Sequence, residues 1–254
     1  ELESMDVSSY ESCDIVHNLN EPIPEALVDQ YDFIIDGGTF DHLFDIRNAF
    51  QNVARLIKPG GRILQWNAAS NFVSQAYISF GPDMIYDYFI LNKFVDTKVY
   101  VAEIDTQIKS NEPWDFYHFS GVDDYAGYTS ARMQMVVNFA EKGPDSTYDK
   151  IPIQGKYRDA VYQESYEEGK RLAHLSERDW FRPSNRDDTV TGSTISEVKP
   201  SWLWRFSRKI VPSGLVDRLP KRVSILIVLL RGNIRSIETV YPRRAHGYDY
   251  KGRV

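Results

Sequence analysis

The 254-residue chain has little cysteine and no long apolar run. Its single cysteine, Cys13, excludes an internal disulfide bond and is typical of a small core residue. The longest apolar run, at residues 225–230, is less than half of the roughly 20 residues that cross a bilayer. The five histidines have no metal-ligand spacing, so no metal site is expected. With no visible signal peptide, these features favour a cytoplasmic protein.

Basic side chains are scarce in the first four fifths of the chain. Residues 1–198 carry 17 basic and 33 acidic side chains, whereas residues 199–254 carry 13 basic and 3 acidic ones. This asymmetry indicates an interaction surface, or a basic tail that folds back on an acidic body. Nucleic acid is not an expected partner, because the acidic part would repel phosphate and no nucleic-acid-binding motif is present.

The basic part begins with an aromatic and cationic segment. Residues 201–211, SWLWRFSRKIV, interleave tryptophan and phenylalanine with arginine and lysine, a mixture that is typical of a membrane interface. One interpretation is that residues 199–254 bind an anionic membrane surface at the inner face of the membrane. The other is a helix that packs on the rest of the protein with its charges in solvent.

The clearest structural signal covers residues 31–67. Residues 33–35 form a short apolar run that ends in Asp36, and a strand with a carboxylate at its end is typical of ligand-binding α/β sheets. Apolar residues then recur at helical spacing from Ile46, after a plausible Asp45 cap. Pro59, Gly60 and Gly61 predict the end of this helix before a strand at 62–66.

Further strands and helices predict an α/β fold. Short strands are expected at 3–6 and 13–17, and longer ones at 97–104 and 132–140. Pro82 predicts the start of a second helix, and helical spacing recurs at 158–175. Residues 187–197 are polar and rich in Ser, Thr and Gly, as in a linker.

These patterns resemble class I S-adenosylmethionine-dependent methyltransferases over residues 1–142. The resemblance depends on Asp36, His42 and the sequence RLIKPGGR at 55–62, in that order between two strands. It is closest to bacterial enzymes that modify cell-envelope saccharides or small metabolites. It implies a Rossmann-like sheet with strand order 3-2-1-4-5-7-6, and S-adenosyl-L-methionine as the cofactor.

The resemblance assigns cofactor contacts to the first two predicted strands. Asp6 would hold the two ribose hydroxyls, because a carboxylate accepts two hydrogen bonds at once. The alternative is a surface aspartate in a serine-rich turn. Asn18 and Leu19 would meet the adenine, where family members usually carry aspartate in place of Asn18.

Other site residues follow the next two strands. Asp36, Gly37 and Gly38 would lie against the cofactor or the acceptor, and the glycines allow a close backbone approach. His42 is the candidate catalytic base, because imidazole titrates near neutrality; the alternative is a histidine that only shapes the turn. Asn67 and Asn71 would bind an acceptor sugar, or serve as ordinary turn residues.

One family feature is missing before Asp6: the first strand and the Gly-rich loop that follows it. The expected sheet therefore lacks its central strand, and the strands on either side would have no shared neighbour. The chain is interpreted as a fragment or as a degenerate module. We expect a partial methyltransferase-like domain at 1–142, a helical elaboration at 143–186, a linker at 187–198 and a mostly helical basic extension at 199–254.

Two functions from different classes follow. The first is methyl transfer from S-adenosyl-L-methionine to a saccharide, a glycolipid precursor or a small metabolite. The second is a catalytically silent methyltransferase-like module that binds or scaffolds at a membrane surface. A dehydrogenase is a weaker third interpretation, because its fingerprint would also lie in the missing first turn.

Overall fold

A mixed nine-stranded sheet forms the centre of the computed structural model, which describes residues 2–104, 114–119, 121, 130–173, 225–228 and 248–253. In chain order the strands are β1 (Leu2–Asp6), β2 (Ile15–Val16), β3 (Tyr31–Asp36), β4 (Ile57–Ser70), β5 (Val95–Ile104), β6 (Asp115–Phe119), β7 (Met133–Glu141), β8 (Ile225–Val228) and β9 (Tyr248–Arg253). Their order across the sheet is β2-β1-β8-β3-β4-β7-β5-β6-β9. Five neighbouring strands are parallel to one another: β2, β1, β8, β3 and β4. Strand β7 runs antiparallel to both β4 and β5.

The α/β class is confirmed, and so are the main predicted elements. Helix α1 (Ile46–Leu56) begins where Asp45 accepts a hydrogen bond from the backbone N–H of Asn48, at 3.0 Å. Helix α2 (Pro82–Leu91) begins at the predicted proline, and α3 (Ala160–Ala173) lies within the predicted helical stretch. All three described helices contribute to one apolar cluster with one face of the sheet. The opposite face forms a second apolar cluster around Leu64 and Trp66.

Helix α1 ends at Leu56, and the Pro-Gly-Gly segment that was expected to end it lies inside β4, where it forms the irregular start of the strand and not a separate turn. Gly60 has a φ of +81°, which favours glycine. Gly60 N–H donates to Lys142 O at 2.6 Å, and Lys142 N–H donates to Gly61 O at 2.9 Å. These bonds fasten the start of β4 to the residue that follows β7.

The position between β1 and β3 is filled, contrary to the sequence-based expectation. Strand β8 lies there and pairs in parallel with both neighbours, so that Val228 is opposite Met5 on one side and Asp36 on the other. The expectation was wrong because pairing between distant segments leaves no local sequence signal. Within 199–254 the described residues are strands, whereas a mostly helical extension was expected. The predicted linker at 187–198 and the segment at 201–211 lie outside the described residues.

Helices α2 and α3 are held together by a buried clamp around Arg158. Its Nη2 donates to Asp87 Oδ2 at 2.6 Å, and its Nε donates to Ile153 O at 2.7 Å. The guanidinium carbon lies 3.4 Å from the centre of the Tyr166 ring. Gly169 allows the close contact between the helices, because a Cβ there would overlap Ile90 O. In the part of the chain that is described, no helix is long and apolar enough to cross a membrane.

Candidate functional site

The carboxyl ends of the parallel strands bring several predicted site residues to one edge of the sheet. Met5, Val228, Asp36 and Gln65 lie in one row across β1, β8, β3 and β4. Asp6 is the next residue after Met5. Because neighbouring strands are about 4.8 Å apart, Asp6 and Asp36 belong to strands separated by about 10 Å. A ligand with two polar ends could therefore span them.

The Asp36 carboxylate is fully buried, and both of its oxygens accept hydrogen bonds from neighbouring residues. Oδ1 accepts from Thr39 N–H at 2.8 Å, and Oδ2 accepts from Asn67 Nδ2 at 2.8 Å and from Gln65 Nε2 at 3.1 Å. Burial raises the pKa of Asp36, while its hydrogen bonds act in the opposite direction. Its observed contacts fasten the turn after β3 to β4, and a contact with cofactor or acceptor stays a prediction.

Asn67 connects Asp36 to a second buried carboxylate that the sequence analysis did not single out. Asn67 Oδ1 accepts from Asp41 N–H at 3.3 Å. The Asp41 side chain accepts from Ala68 N–H through Oδ2 at 3.0 Å, and the Asp41 carbonyl accepts from the N–H groups of Tyr77 and Ile78. Asn67 is thus used internally as well, and its predicted contact with an acceptor sugar is untested.

The remaining oxygen of Asp41 faces His42. Asp41 is 6 % exposed, and its Oδ1 accepts no hydrogen bond from the described residues. His42 Nε2 lies 3.7 Å from it, and the His42 side chain is 32 % exposed. Burial is the largest cause that raises the pKa of Asp41 to about 7; the bond from Ala68 N–H acts against it, and the charge of Asp36 adds to it. Burial lowers the pKa of His42.

The two glycines after β3 shape the turn that carries this pair. Gly38 has a φ of +90°, a backbone conformation that favours glycine. Gly37 lies against the Trp66 indole, because a Cβ there would be 3.0 Å from a ring carbon. The close approach that the sequence predicted is therefore made to Trp66, and an approach to a ligand is untested.

Asp6 is the predicted site residue with the most accessible carboxylate. It is partly exposed at the end of β1. Oδ1 accepts from Ser8 N–H at 2.8 Å, which orders the turn that follows. Among the described residues, none donates a hydrogen bond to Oδ2, so this oxygen can accept from a ligand.

The predicted adenine contacts Asn18 and Leu19 lie in a loop that is fastened to α1. Asn18 Oδ1 accepts from Asn20 N–H at 3.1 Å, and the Leu19 side chain is buried in the core. Leu19 O accepts from Asn48 Nδ2 at 3.2 Å and from Asn52 Nδ2 at 3.1 Å. Sequence reasoning missed Asn20, Asn48 and Asn52, because asparagine is common in turns and gives no signal of a distant partner.

Asn71 has a structural role in the loop after β4. Its φ is +63°, a conformation that asparagine tolerates better than most residues. Its Nδ2 donates to Ser130 O at 3.1 Å and to Arg132 O at 2.7 Å. These bonds hold the loop beside the start of β7, and the predicted contact with an acceptor sugar is untested.

The buried polar side chains continue from β4 to β7. Gln65, which donates to Asp36, also accepts from Asn138 Nδ2 at 3.2 Å through Oε1. Asp36, Gln65 and Asn138 are all at most 1 % exposed and lie opposite one another in the sheet. We call these three residues the polar row. It connects the turn at Asp36 to the antiparallel part of the sheet.

Within the described ranges, no three His, Cys, Asp or Glu side chains form a group that could hold a metal ion. The chain matches no protein-family model, and a comparison with curated proteins finds no match either. Function is therefore inferred from the arrangement of the strands and from the residues at their carboxyl ends.

Proposed function

We propose that the protein takes part in methyl transfer from S-adenosyl-L-methionine to a saccharide, a glycolipid precursor or a small metabolite. The observation that supports this most is the strand order β2-β1-β8-β3-β4-β7-β5, with β7 antiparallel between the parallel strands β4 and β5. This is the 3-2-1-4-5-7-6 order that the resemblance implies, with β8 in the place of the first strand. Fold alone does not fix an activity, so the residues at the carboxyl edge must also fit.

The edge residues fit the cofactor at its ribose end. Asp6 Oδ2 is open to accept hydrogen bonds from ribose hydroxyls, and Ser8 holds the other oxygen in place. Asn18 uses its amide oxygen within its own turn, which leaves Nδ2 to donate to an adenine ring nitrogen. Leu19 would support this contact from the core. Asp36 would act indirectly, by holding the turn that carries Gly37 and Gly38.

The chemistry requires little from the protein beyond orientation and proton removal. When bound, S-adenosyl-L-methionine supplies a methyl group that its positive sulfur already activates. The chain would place the acceptor near the edge of β3 and β4, where orientation contributes most to the rate. His42 would accept the acceptor's proton, because its imidazole is partly exposed and burial lowers its pKa, which favours the neutral form.

We expect Asp6→Asn to weaken the binding of S-adenosylhomocysteine by about 10- to 100-fold. A hydrogen bond to a charged group contributes about 1.5–3 kcal/mol, and 1.4 kcal/mol corresponds to a factor of ten. Asparagine keeps an oxygen for Ser8 N–H, so the turn should persist. Calorimetric titration measures the change. The matched control is Asp32→Asn, which removes the same charge at the opposite end of β3 and should bind as the wild type does. Equal affinities for Asp6→Asn and the wild type would remove Asp6 from the site.

A second candidate function is a catalytically silent module at a membrane surface. The specific observation in its favour is that the side chains of Asp36 and Asn67 form hydrogen bonds within the fold, although the sequence analysis expects them to contact a ligand. The predicted membrane contact belongs to residues 199–254, whose aromatic segment lies outside the described residues. In this proposal the protein would be peripheral at the inner face of the membrane.

The membrane proposal predicts that Trp202→Ala combined with Trp204→Ala reduces binding to vesicles that contain anionic lipid. Tryptophan anchors a segment at the interface, while arginine and lysine supply a salt-sensitive attraction. Sedimentation with vesicles of neutral or anionic lipid measures the effect. Trp180→Ala, which lies before the basic part of the chain, is the control. If the double variant and the wild type sediment equally, the segment does not bind the membrane.

A further inference from the structure

Asp41 is a buried acidic residue whose structural contacts do not need an acidic side chain. Its carbonyl, its N–H and Oδ2 all hold the turn after β3 against β4 and the following loop. An asparagine side chain could accept from Ala68 N–H equally well. Burial of a carboxylate with an oxygen that no described residue satisfies costs free energy that a neutral side chain would avoid. The unsatisfied oxygen therefore indicates a use for the ionised form, which predominates above the Asp41 pKa of about 7.

That oxygen faces the imidazole of His42. His42 Nε2 lies 3.7 Å away, so a hydrogen bond of about 2.9 Å between the two atoms requires the imidazole to move. His42 Nδ1 makes no hydrogen bond with the described residues, and the side chain is partly exposed. The ring is thus placed between a buried carboxylate on one side and solvent on the other.

We propose that Asp41 is the positioning residue of His42: it holds Nε2–H toward its Oδ1 and directs the Nδ1 lone pair to the acceptor. The inference rests on the proposed function, since it assigns His42 a proton to remove. Asp41 does not touch the acceptor. It acts by fixing the tautomer and the orientation of the ring that does.

The proton balance of this arrangement is simple. The acceptor's O–H or N–H proton moves to His42 Nδ1, and the electron pair of that bond stays on the acceptor atom that is methylated. His42 gains one positive charge, which the Asp41 carboxylate offsets at close range. The charged group that reaches Asp41 from a neighbouring strand is Asp36, and the two are separated by the neutral amide of Asn67.

The test measures the pKa of His42 by NMR in the wild type and in Asp41→Asn, from the pH dependence of the imidazole carbon and proton shifts. Removal of a carboxylate within about 4–6 Å should lower the histidine pKa by about one unit, because the imidazolium loses its counter-charge. The control is Asp45→Asn in the same turn region, which removes one charge and keeps a residue that caps α1. It should leave the pKa of His42 within about 0.2 units. An unchanged pKa in Asp41→Asn overturns the inference.

Titration of S-adenosylhomocysteine into the same samples separates this inference from the proposed function. If the wild type does not bind S-adenosylhomocysteine, the proposed function is wrong. The proposed transfer of the acceptor's proton to His42 is then wrong too, even if the His42 pKa shifts in Asp41→Asn. Binding in both proteins with an unshifted His42 pKa rejects the pairing alone.

If Asp41→Asn does not fold, the NMR titration of His42 in the wild type tests the pairing with Asp41. Coupled groups titrate in two steps, so the His42 shifts should follow the ionisation of Asp41 as well as that of the ring. A single step for His42 overturns the pairing.

Discussion

Arg158→Ala should lower the free energy of unfolding by about 3–5 kcal/mol, because it removes the cation from a buried ion pair and leaves Asp87 in the interior. Both side chains are nearly inaccessible, at 3 % and 8 % exposure. The substitution also removes the bond to Ile153 O and the contact with the face of Tyr166. Helix α3 would then lose the contact through which Arg158 connects Tyr166 to Asp87 of α2.

Urea denaturation measures this loss as a lower midpoint with an unchanged slope. Two further variants test the cause. Lys170→Ala breaks the exposed pair with Glu167 on α3 and should change stability by less than about 1 kcal/mol. Arg158→Met combined with Asp87→Leu removes both charges and should regain much of the loss, because an apolar pair of similar size avoids the desolvation of ions. If Arg158→Ala is as stable as Lys170→Ala, the clamp does not hold the helices.

The second large effect is expected for Ile227→Pro in β8. Residue 227 lies opposite Ser4 in β1 and Ile35 in β3, so β8 has a hydrogen-bonded neighbour on each side. Proline lacks the backbone N–H and costs about 3 kcal/mol or more inside a regular element. Because β8 is the link between β1 and β3, its loss should detach β2 and β1 from the rest of the sheet. Cofactor binding through Asp6 should be lost with it.

Amide hydrogen exchange shows which strands the substitution destabilises. Amides of β1 should lose protection in Ile227→Pro, while those of β5 and β7, on the other side of β4, should keep most of theirs. Ile227→Val keeps the backbone N–H and a β-branched side chain, and is the matched control. Equal protection of Met5 in the proline variant and in the control would show that β8 does not connect the two parts of the sheet.

Local signals explain why much of the fold could be predicted from the sequence. Asp45 and Pro82 mark helix starts by capping and by fixed backbone geometry, and the structure begins α1 and α2 there. The apolar run before Asp36 predicts β3. Each of these features acts within a few residues of the chain, where spacing and residue type carry the information.

The parts that could not be predicted depend on contacts between distant segments. Residues 225–228 were interpreted by length alone, as too short to cross a membrane, and nothing in them indicates a place between β1 and β3. At the site, sequence reasoning selected His42 because imidazole titrates near neutrality. It passed over Asp41, whose importance comes from burial and from one unsatisfied oxygen. The internal bonds of Asp36 and Asn67 were hidden for the same reason.

The polar row has a consequence for how the strands find their register. If β4 slipped by one residue against β3 and β7, Gln65 would exchange faces with its apolar neighbours Leu64 and Trp66. Gln65 would then lose its bonds to Asp36 and Asn138, and each buried polar group left without a partner costs about 1–3 kcal/mol. Apolar burial alone would discriminate less between these pairings, since both faces of the sheet are covered. The polar row therefore stabilises one register of β3, β4 and β7. It disfavours misaligned pairings of these strands, which are prone to aggregation.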